Sequence, residues 1–157
     1  MATRGTIALE FADGTIGMVY SHWDSYPSYN GKILAEHYMD PFKVRELIDL
    51  GNISSLAAEI GVQHPFDNPH PYGTDLYREH LAKHSSMTTF YGRDRGDLGQ
   101  AAGYFADFAH YELGGEIGDQ WQEYNYILRN INGQPTWFVN GQTLESALKD
   151  GMDEDDE

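Results

Sequence analysis

Asp13-Gly14, set between two alternating segments, constrains this chain more than any other feature. Residues 6–11 (TIALEF) and 15–22 (TIGMVYSH) each place apolar side chains at every second position. An Asp-Gly pair between two such arms is a strong hairpin signal. A two-residue turn there sets Phe11 opposite Ile16, Leu9 opposite Met18 and Ile7 opposite Tyr20. Strand side chains alternate between faces, so all six are expected on one core face. His22 falls at the end of the second arm, opposite Gly5. A second hairpin is written into residues 123–129 (EYNYILR) and 135–139 (PTWFV) around Asn132-Gly133. It sets Leu128 opposite Trp137 and Tyr126 opposite Val139. Pro135 has no N–H to donate, which moves its strand toward a sheet edge.

Helical signals lie between the hairpins. Ile33, Leu34, His37 and Tyr38 form a stripe after Asn30. Asp40-Pro41 opens a helix with an acceptor and then a proline at the first helical position. That helix buries Val44, Leu47 and Ile48, pairs Arg45 with Asp49 and ends at Gly51. Residues 61–74 hold three prolines and read as a long surface loop with exposed histidines. A helix over 75–84 is expected to turn Leu76, Tyr77, His80 and Leu81 inward. MTTFYG reads as a strand ended by a charged turn, 99–112 as a helix, 112–119 as a loop, and 143–149 as a short helix. Together these predict an α+β fold. Its antiparallel sheet is built from two hairpins plus a further strand, with helices packed on one face.

Composition bounds the chemistry. The 157 residues suit one compact α+β domain, 1–149, followed by an acidic tail, 150–157, expected to be disordered. No cysteine is present, which excludes disulfides, cysteine nucleophiles and thiolate metal sites. Net charge is -15. Six of the acids are Asp150, Asp153, Glu154, Asp155, Asp156 and Glu157, but the body is strongly acidic without them. Such a chain is expected to repel nucleic acids and anionic membranes, and to be drawn to a partner protein with a basic surface. No apolar run reaches the roughly 20 residues of a spanning helix, and the N-terminus lacks a secretory stretch. A cytosolic location is the default.

Three constellations carry whatever site chemistry the sequence offers. His22, Trp23 and Asp24, with Tyr26 behind them, put an imidazole and a carboxylate together at a strand end, as a base with its orienting acid or as metal ligands. The plainer reading is a capped strand and a turn in which Asp24 bonds its own backbone. His64, Asp67 and His70 share the proline-rich loop, while His80 and His84 stand one helical turn apart. These are weak metal candidates at a spacing that matches no tight signature. Arg93-Asp94-Arg95, after Tyr91, is the densest basic spot, suited either to an anion or to internal pairing that fixes a loop. Elbow, phosphate-loop, dinucleotide and metalloprotease motifs are all missing, and no cofactor is expected.

ALEFADGTIGMVYSHWDSYPSYNGKIL, LAEHYMDPFKVRELIDLGNISSL, TTFYGRDRG and EYNYILR together resemble a family of small proteins encoded by tailed bacteriophages. The family pattern carries a His-Trp-Asp-Gly-Tyr loop and a Phe-Tyr-Gly-Arg-Asp-Arg-Gly turn, and the similarity runs over most of residues 5–140. This chain has Ser25 where that pattern has glycine. The resemblance implies a phage origin and a place in the cytoplasm of the infected bacterium, but no assigned activity. The sequence thus reads first as an acidic accessory protein that binds and inhibits a host protein, such as a nucleic-acid-binding or defence protein, by polyanion mimicry. A metal-assisted hydrolase using His22 and Asp24 with the loop histidines is the alternative, and a virion or assembly component the third reading. Exposed hairpin edges leave room for a homodimer.

Overall fold

A computed structural model describes residues 3–117 and 122–151. The strands are β1 (Gly5–Glu10), β2 (Ile16–Ser21), β3 (Ile53–Ser55), β4 (Thr89–Phe90), β5 (Gly103–Phe105), β6 (Tyr124–Ile131), β7 (Gln134–Val139) and β8 (Gln142–Thr143). The helices are α1 (Lys32–His37), α2 (Pro41–Asp49), α3 (Asp75–His84), α4 (Tyr91–Arg95), α5 (Phe108–Ile117) and α6 (Leu144–Asp150), with one π turn at Pro27–Gly31. The fold is α+β, as expected, but the sheet is mixed rather than antiparallel. Its order is β4-β3-β2-β1-β6-β7-β8, with β5 also on β2. The two hairpins lie side by side through a parallel β1–β6 pairing, from Gly5 against Tyr124 to Leu9 against Leu128. The long helical connection between them permits this, since parallel neighbours need a crossover. Among the described residues no helix is long and apolar enough to cross a membrane.

The second hairpin has the expected register, with Leu128 opposite Trp137 and Tyr126 opposite Val139. The first is displaced by one residue, so that Ile7 faces Val19 and Glu10 faces Ile16. Its loop holds three residues, not two. The Phe11 N–H donates to the Thr15 carbonyl, the Gly14 N–H returns to Phe11, and Gly14 takes a φ of 90°. A one-residue slip moves a strand's side chains to the other face. Ile7, Leu9 and Val19 therefore join the larger core, while Ala8 and Ile16 are buried on the reverse face with Met18 packed beside them.

Both faces of the sheet are covered, correcting the one-sided arrangement. The larger core joins Leu34 and Tyr38, α2's Val44, Leu47 and Ile48, and α6's Leu144 and Ala147 to Tyr126, Leu128, Trp137 and Val139. Each fully buried Leu or Ile contributes roughly 1.5–3 kcal/mol. Tyr38 ties this layer down, donating to the Ala57 carbonyl at 2.7 Å and accepting from Trp137 Nε1 at 3.0 Å through its own carbonyl. Asp40 caps α2 by accepting the Phe42 N–H at 2.9 Å. Arg45 forms no ion pair with Asp49 but lies over the Phe11 ring. On the reverse face Phe108 and Tyr111 of α5 cover Ala8, Ile16 and Ile127.

Residues 99–112 are not one helix. Gly103–Phe105 instead pairs with β2 opposite Ile16–Met18, where β2 has an edge that β3 leaves open. This is a tertiary pairing that overrides local preference. Asp107 accepts the His110 N–H at 2.9 Å, and α5 runs on through Gly114-Gly115, the stretch expected as loop. Helix α3 buries no residue, and its Leu76 and Leu81 are exposed rather than inward. Asp150 closes α6 on the surface. Asp153, Glu154, Asp155, Asp156 and Glu157 of the acidic tail lie outside the described residues.

Candidate functional site

The two sequence motifs meet across β3. On one side Ser21 pairs with Ile53, and the His22 and Trp23 N–H groups donate to Ile53 and Ser54. On the other, Phe90 pairs with Ile53 and the Tyr91 N–H donates to Asn52. Asn52 buttresses the junction, accepting the Tyr20 N–H at 2.9 Å and donating to Gln100 at 3.0 Å. Neither Asn52 nor Gln100 is signalled in the sequence, because their meeting depends on β3 docking beside β2.

His22 has a different partner from the one its sequence neighbours suggest. The Tyr20 hydroxyl lies 2.6 Å from His22 Nδ1, and Trp23 packs edge-on against the ring. Among the described residues no hydrogen bond or ion pair joins the Asp24 side chain to the imidazole. Asp24 instead adopts a left-handed φ of 58°, and its carbonyl accepts the Asn30 N–H. The positive φ thus falls one residue before Ser25, which is buried with its N–H on Thr3. Buried Asn30 donates to the Trp23 carbonyl at 3.0 Å, and Tyr126 donates to the Ser25 carbonyl at 2.6 Å. The Tyr26 and Tyr29 rings lie near one another in the same loop. Trp23 and Tyr29 remain exposed.

Burial, helped by the Arg4 charge, holds the His22 imidazole below its ordinary 6.5. The unfolded chain therefore takes up this proton at a higher pH than the folded one. The stabilising contribution is complete above 6.5 and is lost as pH falls from there through the folded value. In an imidazole NMR titration His22 is expected to show a midpoint below 6.5. Between pH 7.5 and 5.5 the melting temperature of His22→Gln should fall less than that of the parent. An equal fall in both proteins would remove His22 as a contributor.

Arg93, Asp94 and Arg95 face inward and along the surface. The Asp94 side chain is fully buried. Its Oδ1 accepts the His64 N–H and Arg93 Nε, each at 3.0 Å. Its Oδ2 accepts the Phe90 N–H at 2.8 Å and Arg93 Nη2 at 3.2 Å. Arg93 also donates to the Thr88 and Gly61 carbonyls and lies over the Phe90 ring. The knot ties loop 61–66 to β4 and α4. Arg95 is packed over Phe66 and Tyr91 and donates to Asp97 at 2.9 Å through Nε.

Folding the loop back produces a row of imidazoles. His70 sits edge-on to His80, His80 lies 4.4 Å from His84 between ring centres, and His84 stacks on His64 at 5.2 Å. His64 is buried, not exposed as the loop composition suggests, and its ring nitrogens face the Pro65 and Thr88 carbonyls at 3.1 Å each. Asp67 is exposed, so His64, Asp67 and His70 do not converge as a set. Among the described residues no group of three or more histidine, aspartate or glutamate side chains is arranged to hold a metal ion. His64, His80 and His84 line a cleft of about 210 Å³ with Tyr29, Asn68 and Leu81. Burial and the neighbouring His80, His64 and Lys83 keep the His84 imidazole below 6.5.

This fold and site define an α+β domain on a mixed sheet, with an aromatic and histidine-rich surface gathered around β3. No family model, curated protein or solved structure matches the chain.

Proposed function

We propose that this is an acidic, non-enzymatic accessory protein that binds a partner protein with a basic surface and occupies it as a polyanion would. The phage origin, the host cytoplasm as its place of action, and inhibition of a host nucleic-acid-binding or defence protein belong to the same reading. The observation that carries it is how the positive charge is used. Of six arginines, Arg78, Arg93, Arg95 and Arg129 are each paired with an acid of this chain. Lys43 is held by the carbonyls of His37 and Ala58. Glu36, Glu46, Asp49, Glu79, Glu145 and Asp150 are exposed and form no ion pair among the described residues. Arg4, Lys32, Arg45, Lys83 and Lys149 are exposed as well, but against a net charge of -15 they leave the outward field anionic, which speeds encounter with a basic partner and makes it salt-sensitive. Exposed Trp23, Tyr29 and Leu81 supply the large side chains that anchor protein interfaces.

The test is affinity capture from bacterial lysate with the tagged protein, repeated with Trp23→Ala. A basic protein is expected to be retained at about 0.05 M salt and released by about 0.5 M, where charges more than a few Å apart are screened. Trp23→Ala is expected to weaken the isolated complex about tenfold or more, as loss of an interface anchor does. Capture of nothing at low salt, or of partners indifferent to salt, would overturn the proposal.

A further inference from the structure

The middle of the histidine row has two atoms that hydrogen bonding within the protein leaves over. His80 Nε2 and His84 Nδ1 are both buried, and among the described residues neither has a hydrogen-bond partner. Buried polar atoms are nearly always satisfied, so two orphans on adjacent rings require an explanation, and a bound ion is one of the few available. The two histidines stand at i and i+4 on α3, the spacing that puts both side chains on one helix face. His64 stacks on His84 while its own nitrogens face the Pro65 and Thr88 carbonyls, so it positions the His84 ring rather than competing for a ligand. His70 braces His80 from the other end of the row.

We infer that His80 and His84 bind a divalent transition-metal ion of zinc-like ligand preference through His80 Nε2 and His84 Nδ1. Neutral imidazole nitrogens are favoured ligands for such ions, at about 2.0–2.1 Å for zinc. Two protein ligands leave open positions, which fall to water or to a donor on a bound molecule. Two such ligands fall short of the four of a closed structural centre, so the site is an incomplete one within the cleft that Tyr29 also lines. The inference does not rest on the proposed partner, although Tyr29 and Leu81, two of the proposed anchors, line the same cleft.

The deciding experiment is calorimetric titration of the full chain with zinc chloride, beside His80→Gln/His84→Gln. Because α3 buries no residue, the double variant is expected to fold, which circular dichroism checks. One equivalent of zinc should bind the parent, and the double variant should bind at least tenfold more weakly. Equal binding in the two would place the metal elsewhere, at the acidic residues, and overturn the inference. Failure of the parent to bind zinc would do the same. Copper(II) added to the parent supplies a readout that needs no variant. Its paramagnetic broadening should strike the His80 and His84 ring signals first, and sparing them while other signals broaden would also overturn it.

Discussion

Asp94→Ala is expected to remove about 3–5 kcal/mol of folding stability, the usual loss when one member of a buried charge pair is deleted. The carboxylate accepts from Arg93 and from two backbone N–H groups, those of His64 and Phe90. Truncation leaves a guanidinium that is mostly buried with only the Thr88 and Gly61 carbonyls, and strands both N–H groups. Each stranded buried donor costs about 1–3 kcal/mol. Urea denaturation reads the total, and hydrogen exchange should show residues 61–66 released ahead of the sheet. Arg95→Ala is the comparison: its pair with Asp97 is partly exposed, so it should lose under about 1 kcal/mol. Losses of similar size in the two variants would show that Asp94 is not what holds the loop. The contrast also separates a buried pair from a surface one within one motif, since Arg93 and Asp94 point into the body and Arg95 lies along its surface.

Legibility in this sequence follows how locally each feature is specified. The second hairpin is readable because its turn needs positive φ at both central residues. Asn132 and Gly133 adopt 54° and 83°, values that Asn and Gly tolerate. The first hairpin is misread by one residue because Asp-Gly also serves a longer loop. Asp13 accepts from the Thr15 N–H and hydroxyl at 3.0 and 2.7 Å, and only Gly14 takes the left-handed conformation. That ambiguity is local, but its consequence is global, since it decides which face of the sheet receives Ile16 and Met18. Asp40-Pro41 is readable for the same reason as Asn132-Gly133: the cap and its helix are neighbours in the chain.

The candidate site is legible residue by residue and illegible as an arrangement. Sequence places His22, Trp23 and Asp24 together, and their adjacency suggests an imidazole–carboxylate pair. The strand geometry instead gives His22 to Tyr20, two residues back on the same face of the strand. The i, i+4 relation of His80 and His84 is visible in the sequence, but not that His64 stacks on His84 from a separate loop. That contact depends on Asp94 receiving the His64 N–H across thirty residues of chain. The same long-range tie explains why the proline-rich loop buries His64 while its composition suggests exposure.

Gly51→Ala is the second large effect, and Gly14→Ala is its internal control. Both glycines have a φ of 90°, where a Cβ is disfavoured by about 1–2 kcal/mol. Around Gly14 nothing lies within 4 Å of where that Cβ would stand, so the backbone term is the whole loss. At Gly51 the same atom would lie 2.2 Å from the Gln100 carbonyl oxygen. That carbonyl cannot simply move aside, because it accepts the Asn52 N–H at 2.7 Å, and the Gln100 side chain accepts from Asn52 at 3.0 Å. Relieving the clash therefore pulls on Asn52, which in turn holds the Tyr20 N–H beside His22. Overpacking of this kind adds about 1–3 kcal/mol to the backbone term. Gly51→Ala should thus lose about 2–5 kcal/mol and Gly14→Ala about 1–2 kcal/mol in the same denaturation assay. The His22 ring signals should shift in the first variant and not in the second. Equal losses, with His22 undisturbed in both, would mean that the Gln100–Asn52 strut does not carry strain from α2 to the site.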